Sequence, residues 1–355
     1  MKERLPYIDT IKGIAILLVV LGHILPMHTN VISVWIYSFH LPLFYIVNGI
    51  LHNKKDNVDL SIGEYFVKKI KRMLFPYFVF SIITIIPLAI NGVIVNDFSS
   101  TKSALLETFT LLGYSTLWFL PSLLFSELLF YCTIVLFRKK KKVLFAVLVL
   151  VLFGTFLFRR RICWQVLLEG KPVISFFCRI VLGYVFMIIG FSFAVFRDRH
   201  HLAENRFLSF VVGCSFLVMN IFFSGINPEV DIHFFYLGNP ICFFVNAIMG
   251  SYGIILICEA LVRKDSIISF FGRNSLIIMI THRPLSILYV LKKIMSKVNI
   301  SYDWMSYILI FLGCILIESV LILLINRHLK FLIDFQEFKK VFTSKNKSLK
   351  HTENE

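Results

Sequence analysis

The sequence predicts an all-α polytopic membrane protein, a bundle of about ten transmembrane helices with both termini in the cytoplasm. Three observations predict it. Of 355 residues, 57% are apolar and only 16% charged, against about 45–50% and about 25% in soluble domains. Apolar runs near the roughly 17–25 residues that cross a bilayer recur along the chain. The positive charge, 37 Lys and Arg against 21 Asp and Glu for a net +16, sits in short clusters between those runs. That pattern marks cytoplasmic loops and not a nucleic-acid surface.

In order, the runs are 13–28, 31–51, 73–91, 117–137, 143–158, 173–196, 207–224, 239–262, 275–291 and 304–326. The fifth has only 16 residues, and the first reaches spanning length if it extends back past Lys12. With the N-terminus inside, the inside segments carry 27 basic residues and the outside segments 8, Arg179 and Arg283 falling within spans. This bias places both termini in the cytoplasm. The outside triplet Arg159-Arg160-Arg161 marks either a shifted boundary or a basic patch facing an anionic substrate. Residues 1–326 thus read as one ten-helix membrane domain and 327–355 as a basic polar cytoplasmic tail, too short for a core of its own. Lys2, Arg4 and Lys12 ahead of an apolar stretch also fit a signal peptide, but no small-x-small cleavage site follows. The seven cysteines are odd in number, lack Cys-x-x-Cys spacing and lie mostly in apolar runs. Buried thiols are expected, with no disulfide framework and no metal site.

Ionisable side chains deep in such runs are costly and so are candidates for function. They are His23, His40, Glu127, His282 and Glu318, while Glu259 lies near a cytoplasmic end and can snorkel. Lys12 and His23 are 11 residues apart, within about 20° of whole helical turns, so they share a face with a separation of about 16 Å. That puts the ammonium at the cytoplasmic surface and the imidazole near mid-membrane, and Asp9, three residues before Lys12, is placed to orient it. His40 lies at a similar depth on the next run. Two imidazoles at one depth suggest a buried polar site, although a histidine there also serves to bond neighbouring helices. At the third run, Lys68, Lys69, Lys71 and Arg72 put four cations in five residues. Membrane anchoring accounts for the lysines taken together, whereas the guanidinium fork of Arg72, nearest the membrane, suits phosphate.

The stretch from Tyr7 through Asp9, Lys12 and Gly13 to His23 resembles the opening of the integral-membrane acyltransferase family 3, most closely its fucose 4-O-acetylase-related branch. Phe39-His40-Leu41-Pro42-Leu43-Phe44 with Asn48-Gly49, Lys71-Arg72-Met73-Leu74-Phe75-Pro76-Tyr77, Leu117-Trp118-Phe119-Leu120-Pro121, and Gly272-Arg273-Asn274-Ser275-Leu276 with His282 follow in the family's order. The likeness covers about residues 5–290. One departure is Lys12, where the family commonly has Arg, a point charge in place of a planar fork. The resemblance implies ten-helix enzymes that take an acyl group, usually acetyl, from cytoplasmic acyl-CoA and place it on a hydroxyl of an extracytoplasmic glycan.

The residues accommodate that chemistry. Coenzyme A is a polyanion with an extended arm, and Lys12, Lys71 and Arg72 are the candidate cations for its phosphates. His23 serves as general base on the hydroxyl or as acyl carrier. Glu127 is the candidate acidic partner, orienting His23 or the hydroxyl, unless it pairs structurally with Arg179 or Arg283 or stays protonated. His40, Trp118 and His282 are the candidate substrate-binding residues; His40 is otherwise structural, and no family-like motif surrounds Glu318. The expected donor is acetyl-CoA, with no metal. The expected partners are a glycan or lipid-linked sugar acceptor and membrane lipids, without nucleic acid and compatible with a homo-oligomer, in the cell membrane, the inner membrane of a bacterium. A transporter or flippase of lipid-linked sugars is the main rival. It predicts internal repeats with interrupted helix pairs, and no convincing repeat is visible. A polymerase calls for a large outside loop, and a scaffold leaves the Lys12–His23 register to chance.

Overall fold

The computed structural model describes residues 5–54, 60–137, 172–199, 205–297 and 304–341. The expected fifth span, 143–158, and the arginine triplet lie outside them. Among the described residues the chain is helical, and eight helical stretches are long and apolar enough to cross a membrane. The described helices are α1 (Pro6–Ile24), α2 (Val31–Tyr37), α3 (His40–Lys54), α4 (Ile62–Val95), α5 (Ser99–Phe109), α6 (Phe119–Phe137), α7 (Pro172–Arg199), α8 (Arg206–Ser224), α9 (Pro240–Leu261), α10 (Ile267–Arg273), α11 (Ser275–Thr281), α12 (Ile287–Lys297) and α13 (Trp304–Arg327). A 3-10 turn, Ser115–Trp118, leads into α6, and a second, Lys330–Leu332, follows α13.

The chain divides into two compact units, Met1–Ile62 with Phe125–Ser275, and Gly63–Leu124 with Leu276–Glu355. In the first, α1 packs on α10, α3 on α7, and α8 on α9. Two of these pairs are backbone-to-backbone contacts made possible by glycine. A Cβ on Gly13 would fall on the Ile268 carbonyl oxygen, and one on Gly272 would fall on the Asp9 carbonyl oxygen. On the second pair, Gly49 faces the Met187 carbonyl and Gly190 the Ile46 carbonyl. Small residues allow such approach where lipid gives no hydrophobic drive for helices to associate. At one end of this unit Arg197 grips both carboxylate oxygens of Glu259 at 2.6 and 2.8 Å, and Asn53 donates to Asp198 at 2.7 Å. The ends of α3, α7 and α9 are thereby tied together.

The expected second span is interrupted. Between α2 and α3, Ser38 and Phe39 form a tight turn whose amides bond carbonyls of Val34, Trp35 and Ile36. Asn220 of α8 donates to Ser38 Oγ at 3.1 Å and to the Asn246 carbonyl at 3.0 Å, and Asn246 donates in turn to the Phe223 carbonyl. Buried amides thus fasten the break to α8 and α9.

In the second unit the expected ninth span, 275–291, is two short helices and not one. Pro284, which has no amide hydrogen to give, and Ser286, at φ +59°, separate α11 from α12. α11 forms much of this unit's interior, with residues 277–281 buried. The Thr116 hydroxyl reaches the Met279 carbonyl at 3.5 Å, and the Thr281 hydroxyl donates to Glu318 at 2.7 Å. α4 is 34 residues long, about 51 Å, well beyond the roughly 30 Å of a hydrocarbon core. Its large apolar side chains Ile82, Ile86 and Ile90, like Leu312, Leu316 and Val320 of α13, remain exposed at four-residue intervals, as expected of faces turned to lipid.

Gly13→Val and Gly272→Val should each reduce the yield of folded protein, overpacking being worth about 1–3 kcal/mol or more where backbone is struck. Gly225→Ala, whose Cβ would meet only the Phe222 carbonyl at 3.7 Å, should not. Size-exclusion profiles of detergent extracts check this.

Candidate active site

α1 begins at Pro6, where a proline suits the first turn, and is unbroken to Ile24. The Lys12–His23 register is therefore preserved along one helix. His23, however, occupies the last turn and not the middle. The reason is Pro26: the residue before a proline is driven out of the α region, and Leu25 is extended at φ −71°, ψ 151°.

At that end the first unit holds a cluster of polar rings. The Tyr37 hydroxyl lies 3.4 Å from His23 Nδ1. The Tyr37 ring meets His40 edge-on at 5.1 Å and His28 at 6.3 Å. His28, at φ +63°, brings Nδ1 within 3.2 Å of the Pro228 carbonyl and so ties the α1–α2 turn to the loop 225–239. Asn227 braces this loop, donating to the Leu237 carbonyl at 3.0 Å and accepting from the Asn239 amide at 2.7 Å. Asp231 and Tyr236 pair through both backbone bonds at 2.7 Å. Buried Arg179 of α7 donates to the His233 carbonyl at 3.2 Å. Burial raises the Asp231 carboxyl above the usual range, against the pull of the His233 and Phe234 amides and of the nearby His28 and Arg179.

His40 has its own task at the break. Its Nδ1 donates to the Ile36 carbonyl at 2.7 Å, and the residue is 4% exposed. In the neutral ring this leaves Nε2 as the acceptor.

Glu127 meets a different imidazole from the one expected. Its Oε1 lies 3.2 Å from His52 Nε2, with the two side chains 5% and 7% exposed. His52 packs edge-on against Phe130 at 5.3 Å. It lies 12 residues beyond His40 on α3, about 18 Å along the axis, so this pair occupies the opposite end of α3 from the His40 ring.

The remaining candidates belong to the second unit. Trp118 closes the 3-10 turn, 7% exposed, with Gly113 at φ +81° against its backbone. His282 is fully buried and its Nδ1 donates to the Ile278 carbonyl at 2.6 Å. Glu318, also fully buried, accepts from Thr281, the neighbour of His282. Lys71 and Arg72 are exposed near the start of α4. The structure thus brings His23 and His40 together through Tyr37, and places Lys12 on the helix of His23.

His52, Tyr37, His28 and Asp231 were not singled out by the sequence. His52 opens the polar run 52–57 and reads as loop, but α3 continues to Lys54. Its four-residue spacing from Asn48, on the face of a family-like motif, is the signal that would have kept it in the bundle.

These features define a polytopic helical membrane protein with buried imidazoles. The chain belongs to acyltransferase family 3: the family model, described as an acyltransferase domain, matches residues 5–324. No curated protein and no solved structure matches it.

Replacing Glu127 with Gln keeps an oxygen and an amide facing His52, whereas Ala leaves the imidazole without that partner. Glu127→Ala should therefore lower stability by about 1–3 kcal/mol and Glu127→Gln by much less, as read by thermal unfolding in detergent. Equal losses would show that the pair does not act through its hydrogen bond.

Proposed function

We propose that the protein is a membrane O-acyltransferase that moves an acyl group, acetyl in the simplest case, from cytoplasmic acyl-CoA to a hydroxyl of an extracytoplasmic or lipid-linked glycan. Family membership supports acyl transfer in general. The observation that carries the finer reading is His23, half-buried in the last turn of α1 with the Tyr37 hydroxyl against one ring nitrogen. If Nδ1–H donates to the Tyr37 oxygen, Nε2 holds the lone pair.

As general base, Nε2 takes the proton of the acceptor hydroxyl as its oxygen attacks the thioester carbonyl. The new C–O bond forms, the C–S bond breaks, and the imidazolium returns the proton to the departing thiolate. As acyl carrier, His23 makes the same exchange in two steps through an acyl-imidazole. Lys12 of the first unit, and Lys71 and Arg72 of the second, are assigned to the phosphates of the donor; His40, Trp118 and His282 are assigned to the acceptor side. The fucose 4-O-acetylase-like opening supports acetyl and sugar over other acyl groups and acceptors. The basic-residue bias supports cytoplasmic termini in the cell membrane, with the His23 end of α1 facing outward.

His23→Ala should reduce glycan acylation about 10²- to 10⁴-fold while the protein still accumulates in the membrane. Mass spectrometry of the surface glycan reads this, and unchanged acylation would sink the mechanism. Binding of acetyl-CoA to the purified protein should weaken in Lys12→Gln and persist in Lys12→Arg, which keeps the charge and adds donors. Reporter fusions after Lys142 and Glu355 should report cytoplasm and one at Asp97 the outside; an outside C-terminus overturns the topology.

A further inference from the structure

We propose that Arg283 and Lys292, at the break between α11 and α12, form a binding site for a lipid-borne diphosphate, the carrier headgroup of a lipid-linked glycan. The choice of a glycan carrier rests on the acyltransferase reading and deepens its acceptor side; the diphosphate chemistry does not depend on it.

From Asn274 to Tyr302 the chain carries four cations, Arg283, Lys292, Lys293 and Lys297, and no Asp or Glu. With cytoplasmic termini the three lysines lie outside, where only eight basic residues fall in all, against the usual bias. Among the described residues no ion pair involves Arg283, Lys293 or Lys297. Glu318, the one acid of the α13 helix on which α12 packs, is fully buried and accepts from Thr281.

α12 is amphipathic. Ile287 and Leu288 are buried, and Leu291 lies 3.4 Å from where a Cβ on Gly313 of α13 would stand. Val290 and Ile294 carry the apolar face into the open, and at about 100° per residue Lys293 and Lys297 border them. That edge suits a helix set in the membrane interface, with apolar side chains in the acyl region and ammonium groups at headgroup depth.

Lys292 does not belong to that edge. It points about 100° away from Lys293 around the helix, is half-buried, and lies beside Arg283. Burial first, and the Arg283 charge second, lower its pKa from the ordinary lysine value. Anchoring gives no reason for this, because a snorkelling lysine reaches out to water, whereas here one cation is kept partly dry against another. The break that sets Arg283 in place is itself pinned, the Thr84 hydroxyl of α4 donating to the Pro284 carbonyl at 3.5 Å.

Like charges held together repel, and an anion between them reverses that cost. A guanidinium fork beside an ammonium matches two linked phosphates, one held bidentately and one by a point charge. A phospholipid headgroup with a single phosphate leaves one of the two cations unanswered. Arg283 also directly follows buried His282, one of the residues assigned to the acceptor side.

The test uses full-length protein in phosphatidylcholine nanodiscs, titrated with geranylgeranyl diphosphate and geranylgeranyl monophosphate. The unmodified protein should prefer the diphosphate about tenfold, the worth of one charge-assisted hydrogen bond. Arg283→Gln and Lys292→Gln should each erase most of that preference, with size-exclusion profiles unchanged and Arg283→Lys intermediate. Joint replacement Lys293→Gln and Lys297→Gln should leave the preference intact, since the edge serves both ligands alike. Equal binding of the two ligands by the unmodified protein, or an unchanged preference in Arg283→Gln and Lys292→Gln, overturns the site. If phosphatidylglycerol added to the nanodisc displaces the diphosphate from the unmodified protein, the pair serves ordinary anionic headgroups and the carrier assignment is overturned. Unchanged glycan acylation in His23→Ala counts against the acyltransferase reading instead, and the titrations then decide the diphosphate site alone.

Discussion

Inside a bilayer no water is at hand to take up a backbone carbonyl released by a broken helix, so each break has to be satisfied by the protein itself. At two breaks the backbone amides of Phe39 and His282 still reach the Ile36 and Ile278 carbonyls at 3.2 and 3.1 Å, and a histidine side chain adds a second bond to the same carbonyl. At the α2–α3 break, His40 Nδ1 donates to the carbonyl of Ile36, four residues back, and beyond α11 His282 Nδ1 donates to the carbonyl of Ile278, again four back. Asn274 does likewise to Phe270 between α10 and α11, at 2.8 Å. These side chains belong to short irregular points in long apolar helices, where each uses the spare lone pair of a carbonyl that already accepts an amide and so holds its own ring or amide in place. A role toward substrate for His40 or His282 has to run through the other ring nitrogen, Nε2.

The same constraint explains why the recognisable motifs are mixtures of chemistry and packing. Gly13 follows Lys12 directly, Gly49 follows Asn48, and Gly272 opens the late motif, and all three lie where two helix backbones nearly touch. In a membrane, burying apolar side chains gains little over lipid, so association depends on close van der Waals packing and interhelical hydrogen bonds. A glycine beside a functional side chain therefore fixes where that side chain is held. Gly13 seats α1 against α10, and the height of Lys12 and His23 within the first unit is set by that contact.

Length and apolar patterning made most of the architecture legible. The first run extends back past Lys12 to Pro6, as its shortness required, and the sixth, seventh, eighth and tenth runs end within a residue or three of their helices. What patterning missed are interruptions: the Ser38–Phe39 turn and the Pro284 turn sit inside runs read as apolar throughout, although Thr281, His282, Arg283, Pro284 and Ser286 mark the second in the sequence. Position within a helix was the second weakness. The spacing from Lys12 gave the rise to His23 but not the end of the helix, which Pro26 dictates one turn on. Partners were the third, because Glu127 and His52 are 75 residues apart, and no local spacing encodes such a pair. The register of Lys12 and His23 needed only one unbroken helix, and α1 supplies it.

The first unit consequently has two polar ends with apolar helix between them. One end holds His23, Tyr37, His28 and His40 with the braced loop 225–239; the other holds His52 with Glu127, and Arg197 with Glu259. On the proposed reading, an acyl donor approaching from the Lys12 end of α1 would have to present its thioester about 16 Å along the helix to meet His23, which an extended arm does and a bulky headgroup does not. The phosphates then stay where cations are hydrated and cheap to keep, and only the uncharged arm and acyl group enter the apolar stretch, where burying a charge is penalised by several kcal/mol. The acceptor hydroxyl, being neutral, reaches the far end without that penalty. Under the proposed transfer, the separation of Lys12 from His23 would keep the donor's charges about 16 Å from the reacting bond, with Tyr37, whose hydroxyl lies 3.4 Å from Nδ1, placed to hold the imidazole there.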